Sequence, residues 1–259
     1  MATYAVLGST GQVGGSIIEV LLHDSEKRIH ACARSKQKLL SMRPTLSSSP
    51  NVAIFEGTLR DTDTLTDCIT GTNAVFLAAA ASDNIPGCTV AQEQARAVIE
   101  ALKNLRKRDP QARLPQLVVL SSSSLEPHLV ENIPPIGRWV LHTAASHVYA
   151  DLRLAEQFLR SHDWVKMVFV KPGGLSHDKP RGHVFSTERQ QTFLSFLDLA
   201  AGMVELADSA DDRWDMKNVS VNPASPGTAV EWRIPYFALK GITWHFLPFL
   251  YPHLSPWLP

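Results

Sequence analysis

The sequence predicts a doubly wound α/β domain: a parallel sheet with helices on both faces, followed by a small C-terminal region. Three features carry that expectation. Continuously apolar stretches of strand length recur through the first half of the chain, stretches of helical periodicity separate them, and glycines cluster at the first strand-to-helix turn. Strands without polar alternation are buried on both sides, and intervening helices supply the right-handed crossovers that parallel pairing needs.

In order, TYAVLG reads as a buried strand, GGSIIEVLLHD as a helix with an apolar face, and RIHACAR as the second strand. SKQKLLSMRPTLSSSP holds a short helical stretch and then a loop marked by three serines between prolines, before NVAIFEG, the third strand. DTDTLTDCIT carries carboxylates in its first turn, where the helix dipole favours them. NAVFLAAAA is the fourth strand, TVAQEQARAVIEALKNLRKR a long helix and LPQLVVLSSSS the fifth strand.

With 259 residues, 44% hydrophobic and 19% charged, the chain can bury one large core or a core with an appended lobe. Its formal net charge is zero, so bulk electrostatics favour neither nucleic acid nor an anionic membrane as partner. Cys32, Cys68 and Cys88 are odd in number and far apart, which reads as reduced thiols in a cytosolic protein. The ten histidines form no HExxH or comparable spacing, so no metal site is expected, and His142, His147 and His177 are candidates to line a substrate pocket. Met1 leads almost directly into the first strand with no basic region or cleavage site before it, and a cytoplasmic location is expected.

In a doubly wound sheet, ligands sit beyond the carboxyl ends of the strands. There GSTGQVG places Gly8, Gly11 and Gly14 in GxxGxxG spacing. Gly8 permits the tight turn, Gly11 lets a diphosphate approach backbone N–H groups, and Gly14 lets the helix pack on the strand. With Thr10, Gln12 and Val13 they form a candidate dinucleotide loop, because the cluster follows a strand and opens a helix. The second strand ends in CARSKQK, where a site for NAD would carry an acid for the ribose 2′-hydroxyl. Arg34, with Ser35 and Lys38, offers a clamp for a 2′-phosphate instead, so the expected cofactor is NADPH/NADP. A solvated basic loop is the alternative.

These stretches resemble the atypical or extended short-chain dehydrogenases/reductases, in the NAD(P)H-binding, NmrA-like branch. GSTGQVG resembles that branch's GxTGxxG signature, and EGTLRD its GDLxD adenine-site motif, with Thr58 replacing the first Asp. The resemblance implies a Rossmann-like fold with Thr58 and Leu59 beside the adenine. VYADLRLAEQFLRSHDW and VFVKPGGLSHD resemble the active-site helix and the arginine-proline-glycine turn after the sixth strand, and LSFLDLAAGMVELAD a segment in which Asp198 caps a helix. The likeness runs over roughly residues 3–222. More narrowly, the opening, YADL, KPGGL and LDLAAGM are similar to averufin-oxidase-A-type oxidoreductases of fungal secondary-metabolite clusters.

Reductases of that family use a tyrosine acid, a lysine four residues on and a serine after the fifth strand. The resemblance gives Tyr149 the acid's place and Ser122 or Ser123 the serine's, while Arg153 stands where the lysine would. One helical turn separates Tyr149 from Arg153, so both reach one crevice. A guanidinium favours a phenolate but relays no proton, because it stays charged. Plainer readings stand beside these: Tyr149 as a core or rim residue, Asp151 as an exposed helix charge instead of a general base, and Lys171 as a strand-end charge instead of a contact near the nicotinamide.

The tail PYFALKGITWHFLPFLYPHLSPWLP is aromatic, apolar and nearly uncharged, and prolines cut it too short to cross a membrane. It is expected to pack over the substrate pocket, with a subunit contact or a weak membrane-surface contact as alternatives. Residues 1–222 then form the nucleotide-binding domain and 223–259 its cover, in a monomer or homodimer. The expected function is an NADPH-dependent oxidoreductase that acts on a ketone, quinone-like or iminium carbon of a small hydrophobic, polycyclic metabolite. A redox-neutral isomerase or cyclase and a non-catalytic nucleotide sensor are the alternatives.

Overall fold

A computed structural model describes residues 1–81, 83–209 and 212–255. In chain order the first half contains β1 (Ala2–Leu7), α1 (Gln12–Leu22), β2 (Lys27–Ala33), α2 (Lys36–Met42), β3 (Val52–Glu56), α3 (Thr62–Ile69), β4 (Ala74–Leu77), α4 (Val90–Arg108) and β5 (Gln116–Leu120). The second half contains α5 (Pro135–Ala144), α6 (Ser146–Arg160), β6 (Met167–Val170), β7 (Leu175–Ser176), β8 (His183–Ser186), β9 (Leu194–Ser195), α7 (Phe196–Asp208), β10 (Asn218–Pro223), α8 (Ile234–Phe246) and α9 (Tyr251–Leu254).

Eight strands form one sheet in the order β3-β2-β1-β4-β5-β6-β10-β8, while β7 and β9 pair separately. Every pair in the large sheet is parallel except β10 with β8. In the central register Val6 lies opposite Ala31 on one side and Phe76 on the other. Alternate residues of β1 serve two apolar layers: Tyr4 and Val6 face Ile17, Leu21 and Met203, whereas Ala5 and Leu7 join Leu65, Val98, Leu102 and Leu159. The helices α1, α2 and α7 therefore cover one face, and α3, α4 and α6 the other. Burying each Leu or Ile in these layers contributes about 1.5–3 kcal/mol.

The fourth strand is shorter than its apolar sequence predicts. It stops at Leu77 because the next backbone crosses the glycine loop, with Ala79 N 2.7 Å from where a Cβ on Gly8 would stand. The tail forms a helix that its sequence conceals. On α8, Gly241 and Trp244 are buried while Phe237, Leu239 and Phe246 are exposed, so both faces are apolar and no helical stripe stands out. Pro235 opens the helix at a position that tolerates it. Gly241 permits a close crossing with α5, since a Cβ there would meet Ala144 O at 2.0 Å. No helix among the described residues is long and apolar enough to cross a membrane.

Candidate nucleotide and substrate site

The glycine loop lies at the carboxyl edge of the sheet, between β1 and α1. Gly8 has φ +92°, a conformation that favours glycine. A Cβ on Gly14 would stand 2.2 Å from Gly8 O, so the helix seats directly on the turn. Ser9 Oγ donates to Val6 O and Gly11 N to Gly8 O, which fixes the loop. Gly11 is the N-cap of α1 and no side chain answers the first-turn N–H groups. Gly11 and Gln12 are exposed, Thr10 is half-buried and Val13 is packed in the core. An uncapped helix start approached by a glycine backbone suits a diphosphate, so these residues fit a dinucleotide.

At the end of β2, Arg34 is exposed and its side chain has no partner among the described residues. Ser35 caps α2 by accepting from Lys38 N at 3.2 Å, which fixes the backbone beneath Arg34 and Lys38. At the end of β3, Thr58 is exposed and accepts from Arg60 N at 3.3 Å. Leu59 packs against the core and lines a hollow of about 260 Å³ with Arg60, Thr62, Glu93 and Arg96. Asp61 caps α3, and the Thr64 hydroxyl and N–H hold its carboxyl below the usual range.

The helix α6 runs antiparallel to the strands, so its start lies at the same edge of the sheet. Tyr149 is half-buried there, edge-on to His142 at 5.8 Å between ring centroids. Its hydroxyl has no hydrogen-bond partner among the described residues, and Arg153 is exposed one turn on. Ser122 accepts from Ser124 N at 3.3 Å, and Ser123 is buried with its N–H donating to Pro172 O. His147 N donates to Asn84 at 2.8 Å, and the His177 ring lies 4.7 Å from that of Phe196.

Two residues differ from their expected surroundings. Asp151 is neither an exposed charge nor free to act as a base: it is 3% exposed, and its carboxylate accepts from Ala91 N, Gln92 N and Gln92 Nε2 at 2.8–3.1 Å. It caps α4 from the neighbouring helix, because Thr89 offers no side-chain cap. Lys171 is neither a solvated strand-end charge nor available to a nucleotide. It is fully buried, with Nζ 2.7 and 2.8 Å from the Glu156 oxygens and 2.9 Å from Glu126. Ser121 Oγ also donates to Glu156. No motif in the sequence marks Ser121, Glu126 or Glu156, although Glu156 follows Tyr149 by seven residues on the same helix face.

Asp198 is not itself the cap of α7: Ser195 is, its Oγ accepting from Asp198 N, while the Asp198 carboxylate accepts from Ser195 Oγ, Arg181 N and Gly182 N and so ties the loop before β8 to the helix start. Beside the crevice, Asn84 donates to Gly241 O at 2.9 Å while accepting from His147 N, so it joins α8 to α6. Among the described residues no group of three or more His, Cys, Asp or Glu side chains is placed to hold a metal ion.

Comparison with known proteins agrees with this architecture. A family model described as NAD(P)H-binding matches residues 8–210. The chain is 50% identical to oxidoreductase stcQ of Emericella nidulans over 98% of its own length and 95% of the relative's. It is 47% identical to oxidoreductase aflX of Aspergillus parasiticus, with 98% and 96% covered, and 45% identical to oxidoreductase ordB of Dothistroma septosporum, with 97% and 94% covered. Among solved structures, the oxidoreductase ylbE from Lactococcus lactis superposes with a TM-score of 0.65 at 18% identity, covering 87% of this chain and 92% of that one. A wide-type short-chain dehydrogenase/reductase from Veillonella parvula in complex with NADP gives 0.66 at 16% identity, covering 88% and 97%. With the glycine loop, the sheet order and these relatives in agreement, the chain belongs to the NAD(P)H-binding family of Rossmann-like oxidoreductases.

Proposed function

We propose that this protein is an NADPH-dependent oxidoreductase of short-chain dehydrogenase/reductase type, which reduces a ketone, quinone-like or iminium carbon of a hydrophobic polycyclic metabolite. The observation that carries the NADPH preference is the unpaired Arg34 at the end of β2, where a carboxylate would otherwise favour NADH. The bound nicotinamide supplies hydride. The uncapped start of α1 and the Gly8–Gly14 backbone hold the diphosphate, and Leu59 packs beside the adenine. The unpartnered Tyr149 hydroxyl, with Arg153 one turn away, donates a proton to the oxygen of a reduced ketone or quinone-like carbon, whereas an iminium needs only the hydride, which leaves its nitrogen neutral. Ser122 and Ser123 stand at the end of β5, where a hydroxyl orients that group. The apolar helices α5 and α8 form the wall against which a poorly soluble substrate rests.

Titration with NADPH and NADH, repeated on Arg34→Ala, tests the cofactor assignment. NADPH binding that weakens at least about tenfold in the variant is expected; equal affinity for the two nucleotides in the native protein overturns it. Transfer of deuterium from labelled NADPH to product, lost in Tyr149→Phe, tests the chemistry. A redox-neutral isomerisation is the second reading. It is favoured by Arg153 in the place of a proton-relaying lysine, and product that forms without deuterium identifies it.

A further inference from the structure

The last residue of GSTGQVGG, Gly15, plays no part in the three-glycine pattern. A Cβ on Gly15 would stand 1.5 Å from Arg43 Nη2 and 2.4 Å from its Cζ, so the guanidinium occupies the space that a side chain there would fill. Arg43 is the C-cap of α2, and its side chain reaches from the end of that helix to the first turn of α1. Arg43 is half-buried, its Nε is buried without an acceptor, and it has no ion pair among the described residues. A cation in this state is costly unless an anion answers it.

Glu19, one turn on from Gly15, is exposed and makes no ion pair with Arg43. Glu56 accepts from Lys36 N at 3.1 Å, and Asp61 from Thr64. Arg34 and Lys38, at the opposite end of α2, are exposed and also lack a carboxylate partner. The segment from Arg34 to Arg43 thus carries cations at both ends, and its far end is folded back towards the glycine loop. The ribose 2′ position of a bound dinucleotide falls between that loop and the start of α2.

We propose that Arg43 is a second guanidinium of the 2′-phosphate site, held by the cradle at Gly15 and acting with Arg34 to select NADPH. This rests on the NADPH reading above. A planar fork pairs with phosphate oxygens in a fixed geometry, and two such forks discriminate more strongly than one. Gly15 is in this view a specificity residue, since it makes room for the fork.

The experiment is calorimetric titration of the native protein, Arg43→Met and Arg43→Lys with NADPH, NADH and 2′,5′-ADP, with a thermal melt of each variant. Arg43→Met is expected to weaken NADPH and 2′,5′-ADP on the order of tenfold and to leave NADH unchanged. Arg43→Lys keeps the charge and much of the stem, and is expected to show a smaller loss confined to the two 2′-phosphate ligands. It also serves if the methionine variant melts early. Equal weakening of NADPH and NADH, or no weakening of either, overturns the proposal. Equal affinity of the native protein for both nucleotides instead overturns the NADPH reading, whatever Arg43 does.

Discussion

Lys171, just past the end of β6, and Glu156 on α6 face each other, with the buried ammonium 2.7 and 2.8 Å from the two carboxylate oxygens. Glu126 lies 2.9 Å away on the third side and is the more exposed acid. The pair joins the end of β6 to α6, the helix that carries Tyr149. Removing one partner of a buried pair leaves the other charge unanswered, so Lys171→Met is expected to cost about 3–5 kcal/mol in urea unfolding. The double variant Lys171→Met/Glu156→Leu should recover part of that loss, since an apolar pair carries no desolvation penalty. A single variant as stable as the native protein would contradict the arrangement.

Asp151 should behave as a structural cap. Asp151→Ala removes the acceptor for two backbone N–H groups of α4 and is expected to cost about 1–3 kcal/mol. Steady-state turnover of the folded fraction should stay near native. Turnover lost with stability intact would return Asp151 to the chemistry.

The glycines of the loop should separate by role. Gly8→Ala meets backbone at 2.7 Å and a φ of +92°, so it is expected to lower the melting temperature and abolish nucleotide binding together. Gly11 has φ −78°, and its nearest neighbour would be Gly8 O at 3.2 Å. Gly11→Ala should melt close to native and lose affinity for the diphosphate alone. Equal melting of both variants with native protein would show that the Gly8 turn is not under the constraint described.

Asp178 is expected to give the C-terminal segment a pH dependence. Its carboxylate accepts from Ala229 N at 2.9 Å, and this bond, with Lys179 N and then Arg181, lowers its pKa from the usual carboxylate range. Because the native value is the lower one, the tether is fully present above the unfolded value of about 3.9 and is lost as pH falls through the native value beneath it. Hydrogen exchange over residues 224–233 should accelerate in that window relative to Asp178→Asn, which has no such titration. The same profile in both proteins would remove Asp178 as the cause.

The central sheet was legible because its strands are apolar without interruption and its helices show one apolar face, as in VLGSTGQVGGSIIEVLL. Asp151 was not legible, because its burial depends on α4 meeting α6, a contact between residues about 60 apart. Lys171 looked like a surface charge for the same reason: its partners come from a helix and a turn that only the fold brings together. The α8 helix escaped because periodicity reveals a helix only when its two faces differ. Arg43 escaped because nothing near it in sequence refers to Gly15.

Asn84 holds Gly241 O on α8 and His147 N on α6, while Asp151 on the same α6 holds the start of α4. One wall of the crevice is therefore braced at two heights by single side chains. Swinging α8 away from α6 would have to break the Asn84 contact with Gly241 O, while Asp151 holds α6 itself against α4. Under the function proposed above, this anchored wall would select substrates by shape, and widening that selectivity would call for changed wall residues more than for looser hinges.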